Sequence, residues 1–97
     1  MSAYVTLFNF TDQGVRTAKD TVKRVRAFAK SVEAAGGQFI GAWWLLGAYD
    51  GVLIFTAPDG ETATRLALAT AALGNARTTT MQAFSEDEMQ RIVQKLP

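Results

Sequence analysis

The sequence predicts an α+β domain, a four-stranded antiparallel sheet with helices on one face. Three observations predict it. Four short segments are rich in aromatic and β-branched residues. Two segments between them carry apolar residues at helical spacing. The elements run in the order βαβ-βαβ-α, two similar halves, which folds as one antiparallel sheet with a helix layer. At 97 residues the chain makes one domain, residues 1–97, because two would lack cores.

Residues 4–10 alternate aromatic and aliphatic side chains and read as a strand. Thr11-Asp12-Gln13-Gly14 ends it with turn chemistry. Residues 15–35 place Val15, Ala18, Val22, Val25, Phe28, Ala29 and Val32 on one helical face. Its start is open: Asp12 could cap it near Val15, or Thr21 could cap a later start. Gly36-Gly37 ends it, since glycine accepts the left-handed C-terminal conformation. Residues 38–46, with Phe39, Ile40, Trp43, Trp44, Leu45 and Leu46, form a second strand. Residues 47–51 are a turn whose Asp50-Gly51 pair suits a hairpin, and residues 52–57 return as a third strand. Asp59 caps a helix with Ala63, Leu66, Ala67, Thr70 and Leu73 on its apolar face, and Gly74-Asn75 stops it. Residues 76–84, with three consecutive threonines, form the fourth strand. Ser85 and Glu88 make a capping box for a last helix that buries Met89, Ile92, Val93 and Leu96.

Composition narrows the chemistry. Hydrophobic residues are 48% and charged residues 20%, the balance of a globular domain. Ten Lys and Arg against nine Asp and Glu leave a net charge of +1, too even for a phosphate or membrane surface. No membrane or nucleic-acid partner is expected. The sequence has no Cys and no His, so disulfides, Cys/His metal sites and Ser-His or Cys-His nucleophiles are excluded. No metal and no cofactor are expected; without His or Cys, Tyr remains available as a haem ligand. The N-terminal stretch lacks a basic region and a long apolar core, so a cytoplasmic location is expected.

Both faces of the predicted sheet are apolar. Val5 and Leu7 oppose Tyr4, Phe8 and Phe10; Trp43 opposes Trp44; Val52 and Ile54 oppose Leu53 and Phe55. Helices cover one face, so the other implies a two-fold dimer with sheets packed face to face.

The chain resembles the GYD domain family almost end to end. The resemblance rests on Thr11-Asp12-Gln13-Gly14, on Leu46-Gly47-Ala48-Tyr49-Asp50 with its Gly-x-Tyr-Asp, and on Ala57-Pro58-Asp59. It closes with Leu73-Gly74-Asn75-Ala76-Arg77-Thr78-Thr79-Thr80 running into Ala83-Phe84. It implies a ferredoxin-like fold paired into a dimeric α/β barrel, and no defined reaction. The wider barrel group includes cofactor-free monooxygenases, isomerases and haem-handling enzymes. An acidic residue usual in the family two places before the Pro-Asp is Thr56 here.

Three sets of residues are candidates for a site. Tyr49 and Asp50 pair a phenol with a carboxylate, able to steer a proton at the barrel mouth, or else serve the turn. Thr78, Thr80 and Gln82 share a strand face and would form a polar wall if that face meets the inter-sheet cavity. Trp43 or Trp44, with Trp43 the family's position, would be the apolar wall. Arg16, Lys19, Lys23, Arg26 and Lys30 form a basic stripe that reads as a solvated face. Glu86, Asp87 and Glu88 complement a helix N-terminus rather than a metal. Two functions are open: a small-molecule binding module, with or without cofactor-free monooxygenase or isomerase chemistry, and a non-catalytic assembly module. No catalytic residue is assigned.

Overall fold

The computed structural model describes residues 1–97. The elements are β1 (Ser2–Phe10), α1 (Asp12–Arg16), a 3₁₀ turn (Ala18–Asp20), α2 (Thr21–Ala34), β2 (Gln38–Trp44), β3 (Gly51–Ala57), α3 (Gly60–Ala72), β4 (Ala76–Ala83) and α4 (Glu86–Gln94). The sheet order is β2-β3-β1-β4, antiparallel throughout. This is the ferredoxin-like α+β arrangement that the element order predicts.

Register decides which face is which. Tyr4 stands opposite Phe55 and Gln82, Thr6 opposite Leu53 and Thr80, and Phe8 opposite Gly51 and Thr78. Residues directly opposite share a face. On that face Tyr4, Phe55 and Ala57 pack against Val32 of α2 and Ala63 and Leu66 of α3, all buried. Phe55 anchors it, stacked on Tyr4 and edge-on to Phe28.

Four expectations need correction. The helix read over residues 15–35 is broken. Thr11 caps the short α1, its hydroxyl accepting from the Gly14 N–H, and α2 starts only at Thr21 without a side-chain cap. The break aims Val15 and Val22 outward, so both are exposed. Arg24 fixes it by donating to the Thr17 and Gly14 carbonyls. The basic stripe therefore spans α1, the 3₁₀ turn and α2, and its residues are exposed.

The second strand ends at Trp44, leaving Leu45 and Leu46 in the connection. Asp50-Gly51 is not the turn centre, because Gly51 already pairs with Trp44. The connection closes where the Leu45 N–H donates to the Asp50 carbonyl at 2.9 Å.

The last helix forms with its capping box intact, yet buries nothing. Met89, Ile92, Val93 and Leu96 are all exposed. It lengthens the molecule to 51 × 30 × 18 Å and raises the radius of gyration to 14.5 Å, against about 12.5 Å for a compact chain of this size.

Candidate functional site

The Gly-x-Tyr-Asp hairpin is built as a clasp. The Asp50 carboxylate accepts the Phe10 N–H at 2.8 Å, across the end of β1. The Asp50 N–H donates to the Phe8 carbonyl at 2.8 Å, and the Asn9 amide donates to the Ala48 carbonyl at 2.9 Å. The Asp50 side chain thus joins the loop to β1 instead of bonding its own turn. A Cβ on Gly51 would stand 2.2 Å from the Phe8 ring, so only glycine fits there. Tyr49 is partly exposed on this loop.

A second clasp joins the other family motifs. Thr11 donates its hydroxyl to the Gly74 carbonyl at 2.6 Å, and its N–H reaches the Asn75 carbonyl. The Gln13 amide donates to the Leu73 carbonyl and the Asn75 side-chain oxygen, both at 3.0 Å. Gly14 is buried so close to the Asn75 carbonyl that a Cβ would stand 1.8 Å from it. Residues far apart in sequence thus hold the same end of the sheet as the hairpin.

Thr78 and Thr80 lie on the helix-covered face, not on an inter-sheet face. Their register opposite Phe8 and Thr6 requires this. Thr80 shares a 2.7 Å hydrogen bond with the buried Thr6 hydroxyl. Thr78 lines a cavity of about 200 Å³ between the sheet, α2 and α3. Phe8, Phe28, Leu53 and Leu66 form its apolar walls, and Arg24 and Asn75 its polar edge. A wider, more open groove of about 770 Å³ runs between α3 and β4, past Thr78, Thr80 and Gln82.

Trp43 stands opposite Val52 on the uncovered face, its ring over Gly41, and is half exposed. Trp44 turns to the helix side, where its Nε1 donates to the Thr21 hydroxyl at 3.0 Å. Val5, Leu7, Ile54 and Met81 share the uncovered face with Trp43.

The five candidates therefore fall in three places. Tyr49 and Asp50 are in the hairpin clasp. Trp43 is on the uncovered face. Thr78 and Thr80 are under the helices, where only Thr78 joins the small cavity. Sequence reasoning missed Arg24 and Asn75. Arg24 is the one basic residue of α2 outside the three-and-four-step stripe, and that offset was the available signal.

Two carboxylates at helix caps have perturbed titration. The Asp59 carboxylate is held below its ordinary range, first by the Thr62 backbone N–H it accepts, then by the Thr62 side chain. Glu88 is held low by the Ser85 N–H in the capping box. Both are structural. No group of three His, Cys, Asp or Glu side chains is placed to hold a metal ion. No helix is long and apolar enough to cross a membrane.

Comparison with known proteins agrees with this geometry. The crystal structure of TTHA0845 from Thermus thermophilus superposes with a TM-score of 0.56 and 21% identity, covering 88% of this chain and 95% of that one. At that identity the likeness is one of fold. No protein of curated function is significantly similar in sequence. The model of the GYD domain matches residues 4–93, a span holding both clasps and all the motifs they join. The chain belongs to the GYD domain family.

Proposed function

We propose that the domain is a small-molecule binding module working as a homodimer, with its ligand under the helices rather than between the sheets. The cavity of about 200 Å³ carries this reading. An apolar cavity of roughly 150 Å³ accepts benzene, so this one suits a ring or a short chain. Thr78 supplies a hydroxyl at its edge. Trp43 and its neighbours on the uncovered face serve the dimer. The hairpin with Tyr49 and Asp50 holds the end of the sheet to which the cavity walls are attached.

A second reading, assembly alone, is favoured by the uncovered apolar face and by α4, whose apolar side meets nothing within the chain. Native mass spectrometry of gently purified protein separates the two. Binding predicts a dimer with bound mass that is lost in Ala69→Phe, a substitution at the exposed rim of the cavity. A dimer whose bound mass persists in that variant places the ligand elsewhere. A dimer without bound mass, and without affinity for ring-sized apolar probes, leaves assembly alone.

A further inference from the structure

The small cavity has one charged lining side chain, Arg24, and no carboxylate. The partners of its guanidinium are all neutral. Nη1 donates to the Thr17 carbonyl at 3.3 Å and the Thr17 hydroxyl at 2.9 Å, and Nη2 donates to the Gly14 carbonyl at 3.1 Å. These bonds fix the group without neutralising it. A guanidinium has five N–H donors, so two remain. Arg24 is half-buried, whereas Lys23, Arg26 and Lys30 on the same helix are exposed. Glu33 is the only acidic residue of α2, so the helix wall of the cavity carries excess positive charge. Asn75 stands at the same edge. Its side-chain oxygen is taken by Gln13, which leaves its NH₂ to donate.

We propose that the cavity selects a small apolar molecule bearing one carboxylate, an aromatic or short-chain monocarboxylate. The apolar part lies against Phe8, Phe28, Leu53 and Leu66, and the carboxylate pairs with Arg24. This rests on the binding reading above and names the ligand class for that site. The physical reason is the cost of leaving a charge unpaired. A carboxylate entering an apolar site loses its hydration and needs a fixed donor, and a guanidinium matches it in geometry and charge. A neutral molecule of the same shape gains no such pairing, and a cation meets repulsion. The basic residues along α2 add attraction for anions as they approach.

The test titrates the intact protein with phenylacetate, phenylacetamide and 2-phenylethylamine, which share a ring and differ in charge, and with benzene. Expected is phenylacetate binding at least about tenfold tighter than phenylacetamide, the ordinary worth of a hydrogen bond to a charged group, with the amine weakest. Arg24→Met should remove the preference for phenylacetate over the amide, and Arg24→Lys should restore part of it. Because Arg24 also holds the Thr17 and Gly14 carbonyls, its loss affects the fold; the ranking in the unaltered protein needs no variant. Equal affinity for acid and amide, or binding of benzene alone, overturns the charge assignment and leaves the cavity a site. Failure of all four probes overturns the cavity itself.

Discussion

The two faces of the sheet are alike in composition and unlike in company. On β3, Leu53, Phe55 and Ala57 point to the helices and are buried, while Val52, Ile54 and Thr56 alternate with them, point away and are only half-buried. A strand with water on one side normally alternates apolar with polar. Here the outward set is apolar too, Thr56 at its end excepted, and only the inward set finds its partner within the chain. Two neighbouring residues therefore give the sharpest contrast. Phe55→Ala empties the centre of the core and should lower unfolding stability by about 3–5 kcal/mol, read by chemical denaturation. Ile54→Lys, one position along, should leave the far-ultraviolet dichroism of the folded chain unchanged and convert the proposed dimer to monomer, read by light scattering. An Ile54→Lys protein that associates as tightly as the original breaks the comparison, because the uncovered face would then hold no partner.

Much of that contrast was legible in the sequence. Alternation has a period of two, so the opposition of Val52 and Ile54 to Leu53 and Phe55 comes from parity alone. The same rule put Trp43 and Trp44 on opposite sides, and Trp43 does lie on the uncovered one. Parity also joined Thr78 to Thr80, but it cannot say which face helices cover; the register that sets them opposite the buried Phe8 and Thr6 does that. The broken first helix was hidden for a related reason. Its cause is Arg24 reaching back to Gly14 and Thr17, and Gly14 lying against Asn75, neither of which is a property of a helical window. The caps of α3 and α4 were readable because each is closed within four residues.

The two clasps offer a smaller effect. Asp50→Ala removes the acceptor for the part-buried Phe10 N–H and should cost about 1–3 kcal/mol, the loss expected for an orphaned backbone donor. Asp50→Asn keeps an acceptor and should cost less, and Tyr49→Phe should change little. Denaturation and ligand titration on the same samples check this. Normal stability with lost ligand binding in Asp50→Asn would move the site to the hairpin after all.

The smallest expected effect compares α3 with α4. Each has in its cap a carboxylate held below its ordinary range by a backbone hydrogen bond, the N-cap Asp59 at the first and Glu88 of the capping box at the second. A carboxylate with a depressed folded pKa binds fewer protons folded than unfolded. Its contribution is whole above the ordinary value and fades as pH falls through the folded value. The window therefore opens near 3.8 for Asp59 and 4.5 for Glu88 and runs downward. The response of each helix to protonation of that carboxylate depends on packing. Ala63 and Leu66 keep α3 on the sheet after its cap is protonated, whereas α4 has no buried residue to hold it. Backbone amide shifts monitored downward from about pH 6, above both ordinary values, should show Glu86–Gln94 losing helix first, with Gly60–Ala72 intact. The same titration at two protein concentrations tests the proposed dimer as well. If a second copy covers Met89 and Ile92, α4 should hold its helix to lower pH at high protein concentration than at low, because burial then supplies what the cap no longer does.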